Sequence, residues 1–306
     1  MMNTTRRNFV QSVAYLAGAA FLSVGKGHAS KGKGKVVPMK VSSQEGRIPG
    51  DSFAEKVDNL ERYGFDAVEF GGGGLPERVN EIKSVLRGRS ILPSAICAGY
   101  GGCLISPDAG ERGNAANDIK AILTAAGEIG STGLIVVPAF NSQYTVPDLS
   151  PYKSKYDLAR ALLVEQLKPL GKHAADCGTR IVLEPLNRYE AKFLNRVADG
   201  VDICKEVDSP GVCVMADFFH MNIEESSRAE AIRAGGSMLH HIHLADNTRK
   251  LPGQGEMDYV PGFRALQEIG YTDFCSLECG LDGKPEDELP KCVKFLRKQW
   301  DLAAEV

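Results

Sequence analysis

Four residues able to bind a metal stand at the ends of four successive apolar runs. Glu184 closes Ile181-Val-Leu-Glu184, Asp217 closes Val214-Met-Ala-Asp217, His243 closes His241-Ile-His243 and Glu278 closes Cys275-Ser-Leu-Glu278. They lie 33, 26 and 35 residues apart, each step about the length of one strand-plus-helix unit. Three carboxylates and one imidazole make a hard, oxygen-rich donor set. It suits one divalent ion, Mn²⁺ first, with Mg²⁺, Co²⁺ or Zn²⁺ as alternatives. Any one of the four alone reads better as a helix cap, a rim charge or a satisfied core histidine. Four at equivalent places on consecutive runs argue for convergence on one point.

Convergence of that kind needs a parallel barrel, where the chemistry sits at the strand ends and in the loops after them. The chain alternates β-rich runs (39–42, 67–70, 92–98, 133–138, 180–185, 212–217, 240–244 and 274–278) with amphipathic stretches (52–63, 76–86, 113–129, 153–176, 196–207, 227–234, 260–269 and 285–303). Gly64, Gly130, Gly178 and Gly270 follow four of the predicted helices, as C-terminal caps do. Eight such units in about 265 residues predict an α/β fold, a single-domain (β/α)8 TIM barrel. The competing doubly wound sheet wants a glycine-rich phosphate turn after its first strand. Ser43-Gln-Glu-Gly-Arg-Ile-Pro-Gly50 does not provide one. Gly71–Gly74 reads as a loop allowing close backbone approach.

Strand parity puts Cys213, Met215 and Asp217 on one face, and likewise Phe274, Ser276 and Glu278. His241 shares parity with His243 and is expected one layer deeper as a structural partner. His240 is expected to face the helices, and His173 to lie on the surface of a long helix.

With 43% hydrophobic and 25% charged residues, the 306-residue chain excludes disorder, collagen and a disulfide-stapled miniprotein. Its formal net charge is −3, yet every charge before Val36 is positive. Thr5-Arg6-Arg7-Asn8-Phe9 precedes an apolar run from Val13 to Val24, and Gly27-His28-Ala29 follows as a small-x-small cleavage pattern. That layout predicts a twin-arginine-type export signal over residues 1–29, a flexible basic tail over 30–38 and the barrel over 39–306. The product is expected in the periplasm or otherwise exported, with no stable membrane anchor after cleavage. Cleavage takes the net charge from −3 to −6, which leaves no pull towards nucleic acid. The eight cysteines include no CxxC pair, and several sit in apolar runs that suit reduced, buried thiols.

The segments Leu183-Glu-Pro-Leu-Asn-Arg-Tyr-Glu190, Asp217-Phe-Phe-His-Met-Asn-Ile-Glu-Glu225 and His243-Leu-Ala-Asp-Asn-Thr-Arg249, with Pro252-Gly-Gln-Gly255, carry a resemblance. The chain resembles the xylose-isomerase-like sugar isomerase and epimerase superfamily, and within it the ketose 3-epimerases such as D-tagatose 3-epimerase. The resemblance implies that Glu184, Asp217, His243 and Glu278 hold the metal and that Glu184 and Glu278 also transfer protons. It implies that His220 and Arg249 contact the substrate carbonyl oxygen and that Glu190 binds the sugar. The only tryptophan is Trp300, so an aromatic wall over the sugar must come from residues such as Phe70, Tyr100, Phe140 or Phe218.

The expected activity is divalent-metal-dependent isomerisation or epimerisation of a non-phosphorylated keto sugar, by proton abstraction next to the carbonyl through an enediolate. The expected partner is a small sugar or glycoside, with a homo-oligomer compatible. A 3-keto-glycoside lyase using the same metal site is the first alternative. A DNA-repair nuclease resembling endonuclease IV would need extra histidines on the early strands, and none lies there. A non-catalytic sugar-binding barrel is the remaining class.

Overall fold

A computed structural model describes residues 37–140, 146, 149–151 and 153–305. The expected export leader and most of the tail lie outside the described residues. The strands are β1 (Lys40–Gln44), β2 (Ala67–Gly71), β3 (Leu92–Cys97), β4 (Leu134–Val136), β5 (Ile181–Leu183), β6 (Val212–Asp217), β7 (Leu239–Leu244) and β8 (Phe274–Leu277). They pair in parallel in chain order, and β8 returns to β1 through Lys40↔Phe274 and Ser42↔Ser276, closing the barrel. The expected (β/α)8 barrel is the fold observed.

The helices are α1 (Phe53–Tyr63), α2 (Leu75–Leu86), α3 (Ala109–Ile129), α4 (Lys155–Asp176), α5 (Val197–Val207), α6 (Phe218–Glu224), α7 (Arg228–Gly235), α8 (Val260–Glu268) and α9 (Pro285–Ala304). Local chemistry sets their ends. Ser52, Asp108 and Ser154 each accept a hydrogen bond from a backbone N–H in the first turn of their helix. Gly64 and Gly130 close α1 and α3 in the left-handed conformation. On α1, Phe53, Val57, Leu60 and Tyr63 recur at helical spacing and are the buried face.

Most of the core lies between the helices and the outside of the barrel. A smaller cluster of Ala95, Ile135, Val182, Cys213 and Met215 fills the barrel itself. Val182 is two residues before Glu184, and Met215 two before Asp217. Each inward row therefore climbs from an apolar plug to a polar mouth.

The differences from expectation are local. β5 and β8 end one residue before Glu184 and Glu278. Both glutamates still donate a backbone N–H to the neighbouring strand, at 3.1 Å to Val136 O and 3.3 Å to Leu244 O. Pro185 has no N–H with which to extend β5 further. β1 runs on to Gln44, α3 begins at its Asp108 cap, and the short helix α6 is additional. All eight cysteines are free thiols. Among the described residues, no helix is long and apolar enough to cross a membrane.

The packing of α4 on the start of β6 depends on two glycines. A Cβ on Gly211 would collide with the carbonyl oxygen of Gly171, and a Cβ on Gly171 would lie 2.6 Å from Val212 Cγ2. Gly211→Ala should therefore cost about 1–3 kcal/mol of stability. Chemical denaturation measures this, and an unchanged midpoint would contradict the close approach.

Candidate active site

The barrel's last four strand ends bring the expected donors together. His243 Nδ1 lies 3.2 Å from Glu278 Oε2, 3.4 Å from Glu184 Oε1 and 3.9 Å from Asp217 Oδ2. Register explains the level, since Asp217 pairs with His243 across β6 and β7. Asp217 divides its carboxylate. Oδ1 caps α6 by accepting from Phe219 N at 2.6 Å and His220 N at 3.4 Å, so Oδ2 is left facing the cluster. Donor atoms of Glu184, Asp217, His220 and Glu278 all lie within 4.8 Å of one another. His220 thus stands with three of the four expected ligands, whereas His243 groups through its other face with Glu69 and His241.

Beneath this layer lies a residue that the sequence does not disclose. Glu69 on β2 is buried, and its Oε2 meets His241 Nε2 at 2.8 Å and His243 Nε2 at 3.0 Å. The carboxylate on Nε2 fixes the ring and turns the Nδ1 edge of His243 towards the three carboxylates. Gln44 Nε2 donates to Glu69 Oε1 at 3.1 Å and to Glu278 Oε1 at 3.0 Å, tying the two acids together. His241 takes the deeper structural place expected of it. His240 points outward to Asp273, 2.7 Å away. The half-buried His173 lies 3.1 Å from Lys120 O of α3.

The groups expected to meet substrate form one network. Asn187 Nδ2 donates to His220 Nδ1 at 2.7 Å and to Glu190 Oε1 at 2.9 Å. Arg249 Nη1 donates to the same Glu190 oxygen at 2.6 Å. With Nδ1 accepting, His220 carries its proton on Nε2, which is buried and has no hydrogen-bond partner among the described residues. Burial also holds the His220 pKa below its usual value, which favours the neutral ring.

A cavity of about 450 Å³ opens over Glu184, His220, Arg249 and Glu278. Its other wall is mostly apolar and includes Tyr100, Pro138, Phe140 and Leu186. Of the four expected aromatics, Tyr100 and Phe140 line it. Phe70 packs edge-on against Phe53, and Phe218 stacks on Tyr259 among the helices. The ring beside the site is Phe219, with the Arg249 guanidinium 4.9 Å from its centroid.

The β7–α8 loop that carries Arg249 is wrapped around one buried acid. Asp246 accepts backbone N–H bonds from Asn247 at 2.9 Å, Gly253 at 3.0 Å and Met257 at 3.0 Å. Arg249 itself is left-handed at φ 57°. Its N–H bonds Asp246 O at 2.8 Å, and its carbonyl accepts from Gly280 N at 2.9 Å.

Burying so many acids has electrostatic consequences. Burial, together with the Glu278 charge, pushes Asp217 up to about 6 against the pull of His243. Burial likewise raises Glu184. Burial would raise Glu278 too, but the His243 ring holds it down at about 2. Burial would lower His243, yet Glu69 and Glu278 hold it well above the ordinary imidazole value. The cluster draws positive charge to its centre. Glu184 Oε1 and His243 Nδ1 are buried there with no hydrogen-bond partner among the described residues. Oxygen donors, one imidazole and two unpartnered buried atoms fit a divalent cation.

The model of the xylose isomerase-like TIM barrel family matches residues 57–299. A 3-dehydro-D-guloside 4-epimerase of Escherichia coli (strain K12) is 33% identical over 242 residues, covering 78% of this chain and 92% of that protein. A D-psicose 3-epimerase of Ruminiclostridium cellulolyticum is 34% identical over 230 residues, covering 72% and 76%. Among solved structures, apo 3-keto-D-glucoside 4-epimerase from E. coli superposes with a TM-score of 0.77 at 30% identity, over 85% of this chain and 99% of that one. The D-psicose 3-epimerase of Clostridium cellulolyticum H10 with D-tagatose gives 0.69 at 27% identity, over 87% and 96%.

Removing the carboxylate behind a ligating histidine typically weakens metal binding by about 10- to 100-fold. Glu69→Gln should show a loss of that size for Mn²⁺ in isothermal titration calorimetry. Wild-type affinity in a folded variant would show that Glu69 does not set the orientation of His243.

Proposed function

The chain belongs to the xylose isomerase-like TIM barrel family, and from that premise we propose that it is a divalent-metal-dependent epimerase of non-phosphorylated keto sugars or keto-glycosides. The observation that carries this is the convergence of Glu184 and Glu278, from non-adjacent strands, on one buried cluster that also receives His220 Nε2. Epimerisation needs a base on one face of the substrate carbon and an acid on the other. Two glutamates rooted on β5 and β8 can flank a sugar lying between them.

The proposed steps follow from the side chains. One glutamate removes the proton from the carbon beside the carbonyl, which shifts negative charge onto the carbonyl oxygen. His220 Nε2–H and Arg249 stabilise that oxygen as preorganised donors. Asn187 keeps the His220 tautomer, and Glu190 holds Arg249 in place. The second glutamate returns a proton to the opposite face of the enediolate. Glu184, Asp217, His243 and Glu278 would hold a divalent ion, Mn²⁺ in our assignment, which would supply Lewis-acid stabilisation of the same charge, worth several kcal/mol.

A keto-glycoside substrate is supported by the likeness to a 3-dehydro-D-guloside 4-epimerase. On such a substrate the same proton abstraction could instead expel the glycosidic oxygen, which is the lyase reading. The twin-arginine-type leader read in residues 1–29 is the basis for assigning the enzyme to the periplasm.

Turnover in D₂O should place deuterium on the carbon next to the carbonyl. Turnover without exchange would overturn the enediolate route. An intact glycoside inverted at one carbon identifies an epimerase, whereas a released aglycone identifies a lyase. Glu184→Gln and Glu278→Gln should each lower kcat by about 10²- to 10⁴-fold, the usual worth of a positioned acid or base. Near-wild-type kcat in either variant would remove that residue from the proton path.

A further inference from the structure

The barrel mouth does not end at the main cavity. Beyond Glu278 and Arg249 lies a second chamber of about 380 Å³, lined also by Gln44, Arg47, Lys250 and Gly280. The two chambers share Glu278 and Arg249. That places the second chamber next to any sugar ring held over Glu184 and Glu278.

The two chambers differ in character. The first has a largely apolar wall, whereas the second carries three cations and one carboxylate. Glu278, the carboxylate, is already engaged by Gln44 and His243. Among the cations, Arg249 is paired with Glu190 and Lys250 with the exposed Asp282, 2.7 Å away. Arg47 is different. It is exposed at the end of the turn after β1 and has no ion-pair partner among the described residues. Nearby Glu45 is already engaged by Arg78 at 2.8 Å and Lys56 at 3.8 Å.

We propose that this second chamber is a subsite for a carboxylate carried by the substrate, held by Arg47 with help from Lys250, so that the preferred substrates are acidic keto-glycosides such as uronides. The inference rests on the keto-sugar reading above and narrows it. A guanidinium presents a planar fork that matches a carboxylate. A phosphate would want a nest of backbone N–H groups as well, and the N–H of Gly280 is already spent on Arg249 O.

The test compares binding of methyl β-D-glucuronide and methyl β-D-glucoside to the Mn²⁺-loaded enzyme by calorimetry. Neither ligand has a ketone, so binding is read without turnover. The glucuronide should bind about three- to tenfold more tightly, as suits one or two ion pairs near the surface. The preference should shrink with added NaCl, vanish in Arg47→Ala and be partly retained in Arg47→Lys. Equal affinities, or a preference that survives Arg47→Ala, overturn the proposal. Tighter binding of methyl β-D-glucoside 6-phosphate than of the glucuronide overturns the carboxylate assignment. Absence of deuterium exchange alongside an intact, Arg47-dependent preference would sink the proton-transfer reading and leave the subsite standing.

Discussion

The site is organised by the burial of negative charge. Glu69, Glu184 and Asp217 are buried at the mouth of one barrel, with Glu278 beside them, and unpaired carboxylates in such a place are costly. The protein answers from within the cluster. His241 and His243 bond one acid from below, while His243 Nδ1 faces the other three from the centre. Gln44 bridges the lower and upper layers. Each acid is tolerable only because these partners share it, so the geometry of β1, β2 and β7 is bound to that of β5, β6 and β8. The apolar plug of Val182, Cys213 and Met215 closes the barrel below, away from the mouth.

Much of this was legible in the sequence because strand parity is rigid. Once Asp217 and His243 are placed at strand ends, alternation dictates that Met215 and His241 lie one layer down, and the structure puts them there. Glu69 was not legible for a related reason. It stands within a short apolar run, as a rim or core acid would, and its partner His241 is 172 residues away. Only closure of the barrel brings them together. A charged residue at an inward position of β2 was the available signal. Gln44 was missed because β1 was expected to end at Ser42.

The aromatic wall shows the limit of residue type as evidence. Phe218 and Phe219 are adjacent, and either could have faced the cavity. The choice is made by α6, a two-turn helix whose cap is Asp217. Its start directs Phe218 into the stack with Tyr259 and leaves Phe219 beside Arg249. The same helix delivers His220 to the cluster, so a cap that no periodicity argument reveals determines both the ring and the donor.

The two halves of the barrel divide the labour unequally. Glu184, Asp217, His220, His243, Arg249 and Glu278 all come from β5 onward, whereas Tyr100, Pro138 and Phe140 come from the segments after β3 and β4. The polar cluster and most of the apolar wall thus lie on separate stretches of chain. Changes after β3 and β4 can reshape that wall while leaving the buried cluster in register. Relatives that share the barrel yet differ in named substrate, a guloside in one and a ketose in another, are what such a modular layout permits. New specificity on this scaffold need not disturb the buried charges that hold it together.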